Sequence, residues 1–553
     1  MDCKEAVYSE NVVNYIIGNY QGEEYIRDIY DPDCLLSLDA IQAVVYRQTD
    51  AADSETIEQF GFSAIPNIYG LMNEESLEES GVLRIRRQPF LDLYGSGILI
   101  GFVDTGIDYT HEAFINADNT SRIVSIWDQT DVSGVGNEMF PFGTEYNREQ
   151  INQALASEDP FQIVSEQDED GHGTFLAGVA AGNEIRSQEF SGVAPLSELM
   201  IVKCKQAKII YRTYYGVPLD VPAFQEDDIM MGISYLLERA RQAKRPIMIC
   251  VGMGTNMGSH GGASNLSSFM DRYTAYQGVG MFACSGNEGN ARHHHWIRTA
   301  EDVININVES SLDGFMAQLW WSTPGALSLD ITAPGGETVE GIRVLQGGRF
   351  RHRFIQEDTV IELFFGVAQE QTREQVVVFR FLAPKTGIWK VKTQFEYDSP
   401  NFHMWLPIRN FMKQDVFFLD PSPDITICNP GTGDNMVTVS AYDARTDSLY
   451  LQSGRGFTTQ GYVKPEVVAP GVGFRSAYPN GRYGEMTGTS VAAALVTGIG
   501  ALFMEYLVDQ GTIGTGITLS EMLIRGAIPR GTPFPNTEWG YGIVDAFESL
   551  TSE

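Results

Sequence analysis

The stretch Gly488-Thr489-Ser490-Val491-Ala492-Ala493 places one serine among small residues, at the start of an apolar run that reaches Tyr506. Such a run predicts a buried α-helix that begins near Ser490. Backbone N–H groups in the first turn of a helix have no partner within the helix and point outward. The Ser490 N–H is therefore predicted to be free to donate a hydrogen bond to an oxyanion.

Two upstream stretches supply the groups that a serine nucleophile needs. Val103-Asp104-Thr105-Gly106-Ile107-Asp108 follows an apolar run typical of a buried parallel strand, and Asp170-Gly171-His172-Gly173-Thr174 opens an Ala/Gly-rich segment typical of a packed helix. A serine hydroxyl is a poor nucleophile at neutral pH, so an imidazole has to take its proton and a carboxylate has to orient that imidazole. We therefore predict that Asp104, His172 and Ser490 form a catalytic triad at the carboxyl end of a sheet.

A side-chain amide follows another strand-like run, in Phe282-Ala283-Cys284-Ser285-Gly286-Asn287-Glu288-Gly289. Acyl transfer by a serine is helped by a second donor that holds the oxyanion together with the Ser490 N–H. Asn287 is the predicted second donor.

These four motifs together resemble the subtilisin-like serine proteases, family S8. Their chain order, Asp then His then Ser, separates that family from the chymotrypsin-like and α/β-hydrolase serine enzymes. The resemblance covers roughly residues 81–300 and 425–548. It implies an α/β fold with a subtilisin-like doubly wound parallel sheet and helices on both faces.

Shorter phrases narrow the resemblance. Ser121-Arg122-Ile123-Val124-Ser125-Ile126-Trp127-Asp128-Gln129, Gly143-Thr144-Glu145-Tyr146 and Gly258-Ser259-His260 are similar to the Csp-type germination proteases of spore-forming clostridia. The resemblance also implies that Gly252-Met253-Gly254 lines the S1 pocket, where subtilases usually carry Ser-Leu-Gly. Ser285-Gly286 is assigned to substrate binding with it.

The 553 residues exceed one such catalytic core, and the surplus falls in two places. We predict a prodomain over residues 1–75, a catalytic domain over 76–302 and 425–553, and an inserted domain over 303–424.

The first region is predicted to be a small α+β prodomain that templates folding and inhibits the protease. Its sequence predicts a strand at 40–46, a short helix at 54–60 and an extended tail at 66–72. By resemblance, Tyr69-Gly70-Leu71-Met72 lies in the substrate cleft and is cut near Met72-Asn73. Two alternatives stay open: a permanent N-terminal domain that is never cut, and a cut prodomain that stays bound.

Residues 303–424 contain short β-rich runs separated by turn residues, which predict a β-sandwich. The region resembles the jelly-roll domain inserted at this point in the Csp group. A carbohydrate-binding role and a role as a rigid clamp on prodomain and protease are both open. Trp389 and Trp405 are interpreted as sandwich core rather than as exposed ligand contacts.

Composition limits the partners and the compartment. With 72 acidic and 38 basic side chains the net charge is −34, which argues against nucleic acid and anionic membrane surfaces as partners. No apolar run reaches the roughly 18 residues of a membrane helix and the N-terminus lacks a signal-like pattern. A cytoplasmic protein is therefore expected, and later packaging into a spore is compatible with it.

The six cysteines lack the tight spacing of a motif. Cys250 and Cys284 lie in apolar strand-like runs and are predicted to be buried thiols. The pattern favours a reducing compartment over a disulfide framework.

No cofactor is expected to be required. His293-His294-His295 has the composition of a metal site, but no Cys or Asp partner follows at ligand spacing, so we interpret it as a polar loop beside the active site and assign no metal. Calcium stays open because subtilase calcium sites use dispersed loop oxygens. The expected partners are a protein substrate and the protein's own prodomain, within a monomer.

The sequence therefore predicts a serine endopeptidase that processes its own prodomain. Resemblance to the Csp group implies limited cleavage of a zymogen, such as a pro-form spore-cortex hydrolase during germination. Two alternatives remain: a general cytoplasmic subtilase for protein turnover, and a regulatory sensor or scaffold held inactive by its prodomain.

Overall fold

The structure is a computed structural model, and it describes residues 1–49, 54–72, 84, 93–322, 325–367, 374–396, 401–412 and 415–551. All counts of elements below refer to these ranges.

The N-terminal region is a small antiparallel sheet with helices beside it. Its elements are α1 (Cys3–Tyr8), β1 (Val12–Gly18), α2 (Glu23–Tyr30), β2 (Cys34–Ser37), β3 (Gln42–Gln48), α3 (Ser54–Ile57) and β4 (Ile68–Leu71). β3 lies between β1 and β2, and both of its neighbours run antiparallel to it. The predicted strand at 40–46 is thus present two residues later, whereas the predicted helix at 54–60 ends at Ile57.

A disulfide joins this sheet to its first helix. The Cα atoms of Cys3 and Cys34 are 5.1 Å apart and their sulfurs are bonded. The sequence did not predict this pair, because the two cysteines are 31 positions apart and no motif links them. Cys250 and Cys284 are buried thiols as predicted, and so are Cys204 and Cys428.

The central region begins with strands and helices that alternate. Its first part contains β5 (Leu99–Asp104), β6 (Ile123–Asp128), β7 (Thr144–Asn147), α4 (Arg148–Leu155), α5 (His172–Ala181), β8 (Glu198–Lys203), α6 (Ile209–Tyr215), β9 (Phe224–Gln225), α7 (Glu226–Ala243), β10 (Ile247–Val251), β11 (Met253–Gly254), α8 (Asn265–Thr274) and β12 (Val279–Cys284).

An antiparallel sandwich interrupts this region. Its elements are β13 (His294–Ile297), β14 (Glu301–Val308), β15 (Gly314–Trp321), β16 (Leu327–Thr332), β17 (Thr338–Arg343), β18 (Arg349–Phe354), β19 (Thr359–Val367), β20 (Gln375–Leu382), β21 (Gly387–Phe395), β22 (Phe402–Trp405), α9 (Arg409–Met412) and β23 (Val416–Phe418). In the described part, one sheet has six strands, in the order β13-β22-β15-β20-β19-β18. The other has five, in the order β17-β16-β21-β14-β23.

The inner faces of these two sheets form one apolar core. Trp389 lies in this core and is fully buried, while Trp405 is buried against the central region instead. The first strand starts at His294, nine residues before the predicted boundary at 303, because β13 pairs with β22. The jelly-roll name for this region stays a prediction.

The chain then returns to the central region. Its second part contains β24 (Val437–Asp443), β25 (Ser448–Leu449), β26 (Val467–Pro470), β27 (Phe474–Tyr478), β28 (Arg482–Met486), α10 (Thr489–Asp509), α11 (Gly516–Gly526) and α12 (Ala546–Thr551).

The two central parts share one sheet, which has nine strands over the described residues. Seven of them are parallel, in the order β26-β24-β12-β10-β5-β8-β6, while β25 and β7 pair antiparallel with β24 and β6. Helices cover both faces: Leu99 and Val103 of β5 share a core with α7, and Ile100 and Phe102 share the other core with α5 and α10. The predicted doubly wound sheet is confirmed, and all of β5 is buried because both of its faces are covered.

One described helix, α10, is long and apolar enough to span a membrane. Of its most apolar window, 83 % is buried inside the protein. The expectation that no segment reaches this length and apolarity is therefore wrong for α10, which packs as a core helix between the sheet and α5.

Candidate active site

Three elements bring the predicted triad together at the carboxyl end of the central sheet. Asp104 is the last residue of β5, His172 the first of α5, and Ser490 lies in the first turn of α10. His172 Nδ1 lies 2.7 Å from Asp104 Oδ1, and His172 Nε2 lies 3.1 Å from Ser490 Oγ. All three side chains are buried.

The approach of α5 to β5 depends on one glycine. A Cβ atom at Gly173 would lie 2.2 Å from the carbonyl oxygen of Gly106, which belongs to the turn after β5. Any larger residue at this position would therefore push His172 away from Asp104.

The charge on Asp104 sets the state of His172. Burial acts to lower the pKa of His172, but the Asp104 carboxylate, with smaller contributions from Asp170 and Asp168, acts to raise it, and the net pKa lies above the ordinary value of 6.5. With Nδ1–H donated to the carboxylate, neutral His172 presents the Nε2 lone pair to the Ser490 hydroxyl. This is the arrangement of a general base.

Asp168 holds the two turns that carry Asp104 and His172, a role that the sequence did not predict. One of its oxygens accepts from Thr105 Oγ1 and Gly171 N, both at 2.8 Å. The other accepts from the backbone N–H and hydroxyl of Thr174, at 2.8 and 2.7 Å. Its place in an acidic run four residues before His172 was the only signal in the sequence.

The Asn287 amide is oriented by Thr489. Asn287 Oδ1 accepts from the Thr489 N–H at 3.2 Å and from the Thr489 hydroxyl at 3.0 Å. The Thr489 oxygen in turn accepts from Gly286 N at 3.1 Å. Because its carbonyl oxygen is engaged, Asn287 has its Nδ2 group as the donor for an oxyanion; Thr489 stood in the quoted motif without an assigned role.

The tail of the N-terminal region lies in the cleft beside these residues. β4 runs antiparallel to β11 on one side and to β9 on the other, with Leu71 opposite Met253 and Tyr69 opposite Phe224. After β4, the Met72 carbonyl oxygen accepts from the Ser490 N–H at 3.1 Å and lies in contact with Ser490 Oγ. Asn73, the other residue of the predicted cut, lies outside the described residues.

The predicted substrate-binding residues differ in how close they lie to Met72. Gly254 lies next to it, since a Cβ at Gly254 would be 3.3 Å from Met72 Cε, and a Cβ at Gly252 would be 3.1 Å from His172 Cε1. The Ser285 hydroxyl instead accepts from Ser440 at 2.8 Å, within the sheet.

Cys428 is a further wall residue that the sequence did not reveal. A Cβ atom at Gly254 would lie 3.1 Å from Cys428 Cβ. A Cβ atom at Gly286 would lie 2.2 Å from the Cys428 sulfur. Burial raises the pKa of the Cys428 thiol, which keeps this side of the pocket uncharged.

This geometry agrees with comparisons to known proteins. The model of the subtilase family matches residues 95–359 and 420–542. The chain belongs to the subtilase family. The predicted resemblance is thereby confirmed, and the protein is a subtilase-family serine peptidase.

Individual relatives extend the match in different ways. The chain is 28 % identical to the solved structure of the Clostridium perfringens CspB protease, with a TM-score of 0.75 over 85 % of this chain and 97 % of that one. It is 31 % identical over 28 % of its length to the subtilisin-like protease SBT2.2 of Arabidopsis thaliana, and 23 % identical over 75 % to the C5a peptidase of Streptococcus pyogenes serotype M1. The matches span only 19 % and 35 % of those two curated relatives.

The histidine run is buried, so its interpretation as a polar loop is wrong. His294 and His295 belong to β13, and His294 Nε2 lies 3.0 Å from His403 Nδ1 of the paired strand. His293 lies between Glu288, at 2.9 Å, and the carbonyl oxygen of Val416, at 3.1 Å. Within the described ranges, no group of three or more His, Cys, Asp or Glu side chains is placed to hold a metal ion.

Proposed function

We propose that this protein is a serine endopeptidase that cuts its own chain after Met72 and then acts on another protein by limited proteolysis. The observation that carries the proposal is the Met72 carbonyl, whose oxygen accepts from the Ser490 N–H while the Ser490 hydroxyl contacts it. A substrate carbonyl has to occupy this position beside a nucleophile that is linked to its base.

The proposed reaction follows from the contacts. Ser490 Oγ attacks the Met72 carbonyl carbon, and His172 Nε2 takes the hydroxyl proton. The Ser490 N–H and Asn287 hold the oxyanion that forms. His172 then gives its proton to the Asn73 nitrogen as the peptide bond breaks, and water hydrolyses the acyl-enzyme with His172 again as the base.

The N-terminal region has the contacts of an inhibitor that stays bound after the cut. It packs on α7 and α8, where Ser234 Oγ donates to the Leu38 carbonyl oxygen at 3.1 Å and Arg272 pairs with Asp39 at 2.7 Å. Its tail is paired on both sides in the cleft. These contacts support the proposal that residues 1–75 act as an intramolecular inhibitor.

Similarity to the CspB protease supports the proposed substrate, a zymogen such as a pro-form cortex hydrolase that is activated during spore germination. Within this proposal the protein acts as a monomer, requires no cofactor, is made in the cytoplasm and is packaged into the spore. The sandwich, from β13 to β23, is proposed to be an inserted jelly-roll domain.

The test is intact mass and N-terminal sequencing of the wild-type chain, Ser490→Ala and, as a matched control, Ser157→Ala, two residues after α4. We expect a new N-terminus at Asn73 in the wild type and in Ser157→Ala, and a whole chain in Ser490→Ala. Cutting of Ser490→Ala would show that another protease is responsible. If the wild-type chain stays whole, self-cleavage is refuted.

A second candidate function is a sensor or scaffold, which the filled cleft favours. Labelling of the cut protein with a fluorophosphonate separates the two, because this reagent reacts with an accessible and activated serine. Labelling that Ser490→Ala abolishes would support a working protease. A cut protein that is never labelled, with or without mild denaturant, would support the sensor.

A further inference from the structure

The sandwich forms part of the cleft wall, over the third residue before the proposed cut. A Cβ atom at Gly70 would lie 2.6 Å from Ile408 Cδ1 and 3.2 Å from Phe411 Cε1. Both side chains are buried, with exposed fractions of 1 % and 3 %. Gly70 is in an extended strand and has no left-handed φ, so space, and not backbone conformation, calls for glycine here.

This wall is anchored on both of its sides. Asn410 Nδ2 donates to the Leu71 carbonyl oxygen at 3.1 Å, so the segment also bonds to the tail. The Arg409 N–H donates to Glu288 Oε1 at 2.9 Å, and Glu288 is buried next to Asn287 and paired with His293. These bonds hold the backbone of the wall in place, so a larger side chain at position 70 would have to displace the buried side chains of Ile408 and Phe411.

The fourth residue before the proposed cut meets a buried carboxylate. The Tyr69 side chain is fully buried and its hydroxyl donates to Glu226 Oε1 at 3.2 Å. Glu226 also accepts from Leu266 N at 3.0 Å and from the backbone and side chain of Asn67, at 3.0 and 3.1 Å. Burial raises the pKa of the Glu226 carboxyl, and these donors oppose that shift. A buried acceptor that loses a donor is costly, so this subsite favours a hydroxyl.

We propose that the cleft selects a Tyr-Gly pair at the fourth and third positions before the cut, with the tyrosine hydroxyl bound by Glu226 and the glycine required by Ile408 and Phe411. The inserted sandwich is then a specificity element of the protease. The substrate class is a protein with an accessible extended segment that contains a Tyr-Gly pair. In that segment, the glycine lies two residues before the residue whose carbonyl is attacked. This inference rests on the proposed self-cleavage, since the tail and a substrate would occupy the same groove.

The test measures how fast newly made chains cut themselves, in timed samples from in vitro translation analysed by intact mass. We expect Gly70→Ala to be cut roughly tenfold more slowly and Gly70→Val more slowly still, because each added methyl group overpacks a site that Ile408 and Phe411 already fill. Tyr69→Phe should also slow cutting by about tenfold, since it removes a hydrogen bond to a carboxylate. Gly484→Ala, whose Cβ would meet nothing closer than 3.4 Å, and the exposed Tyr25→Phe are the matched controls.

A double substitution tests whether Ile408 is the side chain that excludes a larger residue at position 70. In an Ile408→Ala background, Gly70→Ala should lose most of its effect, because the closest contact of the new methyl group is gone. Melting curves of each variant in the Ser490→Ala background check that the uncut chain still folds. If Gly70→Ala is cut at the wild-type rate, or is equally slow with and without Ile408, the inference is overturned while the protease function stands. If the wild-type chain is never cut, the function and the inference fail together.

Discussion

Replacement of Thr489 by valine tests how the oxyanion-binding amide is held. Valine has nearly the shape of threonine but lacks the hydroxyl, which is fully buried. The change removes the 3.0 Å bond to Asn287 Oδ1 and the 3.1 Å bond from Gly286 N. Asn287 keeps only its 3.2 Å bond from the Thr489 N–H.

These contacts give the expected changes in the free energy of unfolding and in the rate of self-cleavage. The buried Gly286 N–H loses its acceptor at a cost of about 1–3 kcal/mol, and the bond to Asn287 adds about 1 kcal/mol, so the free energy of unfolding should fall by about 2–4 kcal/mol. Loss of an entire oxyanion donor slows acyl transfer by about 100- to 1000-fold. Because one of the two bonds that orient Asn287 survives, we expect self-cleavage to slow by about tenfold, or ~1.4 kcal/mol in activation free energy.

The rate is measured on timed in vitro translation samples, and stability by urea denaturation of the uncut chain in the Ser490→Ala background. Thr489→Ser keeps the hydroxyl and serves as the control, with a rate near that of the wild type. The reasoning is refuted if Thr489→Val is destabilised but cuts itself at the wild-type rate, since the hydroxyl would then have no part in positioning Asn287. It is also refuted if Thr489→Ser is as slow as Thr489→Val.

Three further predictions concern protonation and buried carboxylates. Because Asp104 raises the pKa of His172 and only neutral His172 accepts the proton, the self-cleavage rate should fall with decreasing pH, with a midpoint above about 6.5; a rate that is flat from pH 5 to 9 would contradict this. Asp168→Asn should lower the free energy of unfolding in urea by about 2–4 kcal/mol, because an amide accepts through only one oxygen, whereas exposed Asp159→Asn should change it by less than ~0.5 kcal/mol. Burial lowers the pKa of His260 to about 4, so its contribution to stability is complete above the unfolded value of about 6.5 and is lost as the pH falls toward 4. His260→Phe should therefore flatten the decline in unfolding free energy by about 1.4 kcal/mol per pH unit in this interval, and parallel pH curves for the two proteins would rule this out.

The triad could be predicted because each of its residues sits in a short local motif. Asp104 ends an apolar run, and His172 and Ser490 each open a helix behind a glycine-containing turn. In a parallel sheet the carboxyl ends of strands share one edge, so these separate motifs had to meet there. The tail at residues 69–72 was placed in the cleft by resemblance to subtilase prodomains, and its pairing with β9 and β11 agrees with that prediction.

Other features depend on contacts between distant segments. The His293–His295 run has a polar composition, yet it is buried because β13 pairs with a strand more than a hundred residues away. The Cys3–Cys34 bond forms because α1 packs beside β2. Acidic Asp168 has no motif of its own and acquires its role from two turns that converge on it.

The amino-acid sequence by itself determined the family and the parallel sheet, and it predicted that Asp104, His172 and Ser490 meet at one edge of that sheet. These depend on local patterns of burial, small residues and chain order. Only the tertiary structure decided that Ile408 and Phe411 pack against Gly70. It also decided that Glu226 accepts a hydrogen bond from the Tyr69 hydroxyl and that Thr489 orients the Asn287 amide. The reason is physical: such contacts come from packing between segments hundreds of residues apart, and no local pattern in either segment records which partner it will meet.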